Sequence, residues 1–285
     1  MKSVEQLFCE PFEGIDLFVP DAVPIDEGIV RTTHLGIGAH ADDLEIFAYP
    51  GIEEVYGRED RWFGGVTVTN GSGSPRVGKF AGVSDKEMMS VRLREQRTAA
   101  VAGGYGFQAQ LKLASSQLVD RDIRERWSDW LAYLFSVCKP EVLFMHQPFD
   151  HHPTHRLVAE LTWQAVLKLE TEQRPKTILA GEVWGGLDSW PPEMRKTVSA
   201  DRYPDLAQEL IEIYESQVEG GKNYVEACLG RRSANATFLN PHEIDSCRFA
   251  CHYLDLSGYA ASGTLSLSEV VSDLMVRAKQ IFENR

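Results

Sequence analysis

The stretch His34-Leu-Gly-Ile-Gly-Ala-His-Ala-Asp-Asp43 decides the fold. Residues 34–39 are a short apolar run of the kind that forms a strand buried on both faces. The next four residues are a polar turn carrying His40, Asp42 and Asp43. More than a hundred residues later the pattern recurs. Glu141-Val-Leu-Phe-Met145 is a second apolar run, followed by His151-His-Pro-Thr-His155. In an open α/β sheet the ends of the strands carry the chemistry.

Working outward from residue 34, strand and helix patterns alternate. The spacing of Leu44, Phe47, Ala48 and Ile52 predicts a helix over 42–57, which Pro50 should kink or split. Residues 63–69 read as a strand and 70–76, Asn-Gly-Ser-Gly-Ser-Pro-Arg, as a loop. Ser84 with Glu87 three residues on predicts a capped helix over 84–103. Strands at 107–113 and 141–146, helices at 120–138 and 153–170, and a fifth strand at 177–183 complete the pattern. This predicts a Rossmann-like α/β fold, a mainly parallel sheet with helices on both faces, of the 3-2-1-4-5 type. In that order the first and fourth strands are neighbours, so topology alone brings the two polar clusters together. The chain reads as one domain: a core over about 33–185, a mixed extension over 1–30 and C-terminal additions over about 200–285. Residues 203–217 and 267–283 look helical, and 236–256 could supply strands or a lid.

Bulk properties exclude several classes. The 285 residues are 43% hydrophobic and 25% charged, ordinary for a globular protein, and the net charge is -13. So acidic a chain is a poor partner for nucleic acid or an anionic membrane. Arg92, Arg94 and Arg97 read as decoration of a helix face. No apolar run approaches the roughly 18 residues of a membrane span, and the N-terminus lacks a signal-peptide core. Five scattered cysteines, Cys9, Cys138, Cys228, Cys247 and Cys251, point to reduced thiols and a cytoplasmic location. The oligomeric state, a homo-oligomer included, stays open.

Two histidines and a carboxylate meeting at strand ends would make a three-ligand site with an open position for a divalent cation. Of the adjacent Asp42 and Asp43, one can bind metal while the other faces its water. His152 and His155 flank Pro153 at a helix start and share a side of it, so one can ligate while the other reaches substrate. Blander readings exist for each part: a satisfied core histidine for His40, helix capping for the aspartates, a polar helix start for the histidines. Their joint placement at matching strand ends favours the functional one. Elsewhere the signals are weaker. The glycine-rich 71–78 loop lacks a phosphate-binding lysine and reads as a rim, with Arg76 a candidate for substrate contact. Gly36-x-Gly38 lies within the strand and lacks the third glycine of a dinucleotide turn. Cys247-x-x-x-Cys251-His252 looks like a strand rather than a metal site, and Trp184, Trp190 and Tyr203 like core or pocket aromatics. His146 reads as packing or orienting the turn.

These residues resemble a known family. Ala39-His-Ala-Asp-Asp43, with Glu45, is similar to the His-Pro-Asp-Asp-Glu motif of the PIG-L/LmbE-like zinc-dependent N-deacetylases. Asp150-His-His-Pro-Thr-His-Arg156 resembles that family's second motif, and the helix bearing Arg92 and Glu95 is in keeping with it. The resemblance implies that His40, Asp43 and His155 bind Zn²⁺ or another divalent metal, that Asp42 is the general base, and that His152 stabilises the oxyanion or protonates the leaving amine. It implies hydrolysis of an N-acyl, typically N-acetyl, group on a small-molecule amino sugar or glycoconjugate. Ala41 stands where the family has proline, Leu44 where an acidic residue usually follows, and Thr154 where an aspartate orients the first histidine; Asp150 could substitute. Two other readings are an amidase of thiol conjugates or acylated natural products, and a non-catalytic Rossmann-like binding domain.

Overall fold

A computed structural model describes residues 4–8, 12 and 14–284. Its strands are β1 (Asp16–Phe18), β2 (Thr32–Gly38), β3 (Trp62–Thr69), β4 (Phe107–Leu113), β5 (Val142–His146), β6 (Thr177–Gly181), β7 (Arg195–Ser199) and β8 (Ala250–Asp255). The first helices are α1 (Ile25–Val30), α2 (Asp43–Phe47), α3 (Tyr49–Val55), α4 (Asp85–Ala102), α5 (Arg121–Cys138) and α6 (Pro153–Leu167). Then come α7 (Pro204–Glu212), α8 (Glu215–Val218), α9 (Tyr224–Thr237), α10 (Ser257–Ser262) and α11 (Leu267–Glu283).

All eight strands join one sheet in the order β1-β4-β3-β2-β5-β6-β8-β7. The five from β4 to β6 run parallel, and this is the expected 3-2-1-4-5 arrangement. Both ends are antiparallel: β1 on β4, and β8 on β6 with β7 outside it. The predicted helix over 42–57 is two helices, with Pro50 in the first turn of α3. Ser84 and Glu87 form the reciprocal capping box at the start of α4.

Alternation along the strands divides the core. Leu35, Ile37, Val66 and Val68 face one layer with Trp130 and Leu134 of α5 and Val158 and Leu161 of α6. Phe63 and Phe144 face the other, with Leu44 and Phe47 of α2, Ile52 of α3 and Ala99 of α4. Gly36 and Gly38 lie on this second face. A Cβ on Gly36 would come within 2.8 Å of Leu44 and Phe63, and one on Gly38 within 3.2 Å of the Asp43 Cβ. These glycines let α2 fold back tightly on the strand that precedes it, which sets the position of the polar turn.

The C-terminal additions enter the sheet itself, since β8, within the 236–256 stretch, lies between β6 and β7. The N-terminal extension likewise contributes β1, which closes one sheet edge. Among the described residues Cys138, Cys228, Cys247 and Cys251 are free thiols; Cys9 lies outside the described residues. No described helix is long and apolar enough to cross a membrane.

Candidate metal centre and cleft

Parallel pairing of β2 with β5, in register from His34 opposite Val142 to Ile37 opposite Met145, ends both strands at one level. The turn after β2 and the loop after β5 therefore emerge side by side. His40 Nδ1 lies 3.0 Å from His155 Nε2 and 3.4 Å from Asp43 Oδ2. His155 Nε2 is 3.4 Å from Asp43 Oδ1. Donors bound about 2.0–2.2 Å from one tetrahedral zinc would sit about 3.3–3.6 Å apart. The three donors thus have nearly the spacing a small cation needs.

Two further histidines border this group. Donor atoms of His40, His152 and His155 all lie within 4.8 Å of one another, as do those of Asp43, His146 and His155. His146 ends β5, and its Nε2 is 3.1 Å from Asp43 Oδ2. The same nitrogen accepts the backbone N–H of Ala39 at 2.9 Å, which engages its lone pair. His146 thus braces the β2 turn from the neighbouring strand. The position of a polar residue at the strand end was the only sequence signal for it.

Second contacts fix orientation. Asp150 Oδ1 lies 3.3 Å from His155 Nδ1, a close polar contact short of an aligned hydrogen bond, and Nε2 is turned toward His40 and Asp43. Asp150 also accepts backbone N–H groups from His152 at 2.8 Å and Trp184 at 3.1 Å. It therefore orients His155, not the His152 ring. Burial alone would raise the Asp150 pKa, but the His155 contact and charge hold it down, at about 2. His152 is half-buried, its Nδ1 accepts the Thr154 N–H at 3.3 Å, and the neutral ring therefore carries its proton on Nε2. Burial, then the neighbouring His40, lowers its pKa.

Protonation states suit a cation. Burial pushes His155 down to about 4, so the ring is neutral near pH 7. Burial would raise Asp43, yet His155 and His146, with the hydrogen bonds from His146 and His40, hold it well below the usual carboxylate range. Neutral imidazole and ionised carboxylate are the ligating forms.

The two aspartates point apart. Asp43 Oδ2 accepts the His40 N–H at 2.6 Å and closes the turn. Asp42 occupies a helix-cap position but makes no capping bond, and its φ of 99° lies in the left-handed region. That conformation costs a non-glycine residue roughly 1–3 kcal/mol and clusters at functional sites. Asp42 is only 7% exposed. Burial raises its pKa to about 7, against the opposing pull of Arg92.

Arg92 overturns its reading as helix decoration. It is buried and donates to Asp42 Oδ2 at 3.1 Å, Glu95 Oε2 at 3.3 Å and Ser216 Oγ at 3.1 Å, and also to the Ala41 carbonyl. Glu95 in turn accepts the N–H and hydroxyl of Ser216 on α8. Glu45 does not reach the donor cluster. It binds Gln96, Tyr105 and Tyr214 instead, tying α2 to α4 and to the C-terminal part.

The cluster floors a cleft of about 420 Å³, lined also by Gly71, Gly73, Ser74 and Pro75 of the glycine-rich loop and by Trp184 and Tyr224. That loop is a rim as expected. Arg76 is not at the cleft; it pins the loop through the Ser72 carbonyl and Asp85. Trp190 packs on Phe149 and Tyr203 on Tyr56, away from the cleft. Cys251 and His252 lie on β8 with no metal-like cluster around them among the described residues.

The comparisons agree with this picture. The fold is similar to that of an N,N'-diacetylchitobiose deacetylase from Pyrococcus horikoshii, at 15% identity, 91% of this chain and 95% of the other, with a TM-score of 0.60. It is similar to a zinc-inhibited teicoplanin deacetylase at 13% identity, 78% and 97% coverage and TM-score 0.57. It is also similar to a 4-carboxy-2-hydroxymuconate hydratase from Pseudomonas putida KT2440 at 17% identity, 79% and 95% coverage and TM-score 0.59. Identities so low establish the fold alone. A search of curated protein sequences gives no match. Residues 35–166 match the family model PIG-L, GlcNAc-PI de-N-acetylase, and this segment holds both halves of the donor cluster. That segment, somewhat less than half of the chain, is similar to the PIG-L family.

Proposed function

We propose that this protein is a metal-dependent amide hydrolase that removes an N-acyl group from an amino sugar or glycoconjugate. The observation that carries the reading is the convergence of His40, Asp43 and His155 donors at 3.0 to 3.4 Å beside a buried, unliganded carboxylate, Asp42. The fit to a cation rests on the donor chemistry: one ionised carboxylate and two imidazoles, with His155 oriented by Asp150. His40, Asp43 and His155 would hold the ion, and the spent lone pair of His146 argues against it as a ligand. A divalent cation held there supplies Lewis acidity toward an amide carbonyl and lowers the pKa of water.

The remaining steps belong to the chain. Asp42, with a pKa near 7, takes the proton from the attacking water and is fixed by Arg92. His152 lines the cleft, and its Nε2–H would donate to the developing oxyanion. The C–N bond breaks as the proton held by Asp42 passes to the leaving amine, the carboxylic acid and the amine depart, and the acid gives up its remaining proton to solvent. The similarity of residues 35–166 to the PIG-L family model and of the fold to deacetylases supports the substrate class.

Elemental analysis tests the reading first. Wild type should hold about one divalent ion per chain, and His40→Ala and His155→Ala should each lose it. Metal-loaded protein should release acetate from N-acetylglucosamine conjugates. No metal after incubation with zinc, manganese or iron(II) would overturn the hydrolase reading and leave a binding domain.

A further inference from the structure

Behind the cleft lies a second chamber of about 120 Å³. The two spaces share Ile46, Val183, Trp184 and Tyr224 as lining, so the chamber adjoins the cleft, and Ile46 stands three residues after Asp43. Its size approaches the roughly 150 Å³ apolar cavity that takes up benzene, about six heavy atoms. Phe47 and Glu182 contribute to its other walls, and the rest come from α9 and β8, outside the 35–166 segment.

The polar part of the chamber lining is Glu182, Arg231, Arg232, Asn235 and His252, and two of these carry open polar atoms. Asn235 and Arg232 lie three residues apart on α9 and so share a helix face. They are 2% and 3% exposed, and both line the chamber. Glu182 accepts the Asn235 Nδ2–H at 2.8 Å, which fixes the amide orientation and leaves Oδ1 without a partner. Arg232 spends Nη2 on the carbonyls of Glu45 and Ile46, and its Nη1 has no partner. A buried acceptor and a buried donor left open are costly unless a ligand or water completes them.

From this geometry we infer that the chamber is an acyl subsite for a short chain ending in a group that both donates and accepts a hydrogen bond, as a hydroxyl does. The inference rests on the amide-hydrolase reading for which arm enters. An amide held at the donor cluster has two arms. The bulky amine arm needs the wide cleft, and the smaller chamber suits the acyl arm. A terminal hydroxyl can donate to Asn235 Oδ1 and accept from Arg232 Nη1. A carboxylate would satisfy the arginine but face the asparagine oxygen and, behind it, Glu182. A plain alkyl chain would leave both orphans unpaired, and sites with such orphans reject analogues lacking the matching group.

The test compares kcat/KM of the metal-loaded protein on glucosamine carrying N-acetyl, N-butyryl, N-(4-hydroxybutyryl) and N-(6-hydroxyhexanoyl) groups. One of the hydroxyacyl substrates should exceed acetyl and butyryl by at least tenfold. Asn235→Leu should erase the preference for hydroxyl over alkyl. Ala227→Trp, at an exposed position on the chamber wall, should narrow the hydroxyacyl-to-acetyl ratio about tenfold with no burden on folding. In parallel, binding of 4-hydroxybutyramide and butyramide is measured by ligand-detected NMR on wild type and Ala227→Trp. Selective binding of the hydroxyamide to wild type, without turnover of any substrate, would leave the chamber assignment standing and sink the hydrolase reading. Acetyl turned over best, with no hydroxyamide binding, would overturn the subsite and leave the hydrolase; the chamber would then hold solvent. Neither turnover nor binding would overturn both.

Discussion

At the scale of single residues, Asp42 carries two costs at once: a left-handed backbone and a carboxylate buried far enough to raise its pKa to about 7. Neither helps folding, and the combination is one that clusters at functional sites, which supports the proposed role of Asp42 as base. Asp42→Ala and Asp42→Gly should both keep the metal and lose about 10²- to 10⁴-fold in turnover, the usual worth of a positioned base. The pair separates backbone from side chain. Glycine accepts the 99° φ freely and alanine does not, so the glycine variant should be about 1 kcal/mol more stable than the alanine one in urea unfolding. Normal turnover in either variant would remove Asp42 as the base. Asp150 acts one step further out, holding His155. Asp150→Asn should therefore weaken metal affinity about 10- to 100-fold, read by competition with a chromophoric chelator, while full occupancy survives at high metal. Of these residues the sequence made His40, Asp42, Asp43, His152 and His155 legible, because each stands next to a strand end. His146 reads from sequence only as packing or orienting the turn, the second of which it does, because a single histidine closing an apolar run has no spacing signature of its own.

At the scale of elements, α4 links the two halves of the chain through Arg92. Its buried positions, Met88, Arg92, Glu95, Gln96, Ala99 and Ala100, form one stripe at helical spacing. That stripe was present in the sequence. Reading arginine as a surface residue hid it, since charged groups are rarely buried unless paired. The pairing partners come from afar in sequence: Asp42 on one side, Ser216 on the other. Arg92→Met should cost about 3 kcal/mol in urea unfolding, the lower end for breaking a buried ion pair, because Glu95 keeps Ser216 and Asp42 can take up a proton. Arg92→Lys should recover only part of the loss, as a single ammonium cannot serve four acceptors on a fixed fork. An unchanged midpoint in Arg92→Met would mean that the arginine's hydrogen bonds contribute nothing to the fold. Helix α9 shows the opposite failure of legibility. Its inward face carries Arg232 and Asn235 together with Cys228 and Ala236, so hydrophobic periodicity does not announce it. Strand β7, Arg-Lys-Thr-Val-Ser, lacks an apolar run because it is a half-exposed edge.

At the scale of the whole molecule, the parallel centre was legible because strands buried on both faces read as continuous apolar runs, whereas the antiparallel end was not. The order β6-β8-β7 puts a strand from residues 250–255 inside a sheet begun at residue 16. Tyr214 reaches across to Glu45, Arg232 to the end of α2, and Tyr253 to the Phe47 carbonyl. The second core layer is accordingly shared: Leu206, Leu210 and Tyr253 pack with Phe47 and Phe144. Cutting the chain after residue 199 would bare the edge of β6, leave Glu45 without one of its tyrosines and open one wall of the cleft. The family-matched segment 35–166 therefore supplies the donor cluster but not a complete fold. The chain should unfold in urea in a single transition, with tryptophan fluorescence and far-ultraviolet circular dichroism coincident, as expected of one cooperative unit. A 1–199 fragment should lack that transition and be digested by protease at once. Two separated transitions in the full chain, or a fragment that folds and holds metal, would show instead that the C-terminal part is an independent unit, and Tyr214 and Arg232 would then contribute nothing to the stability of the sheet's parallel centre.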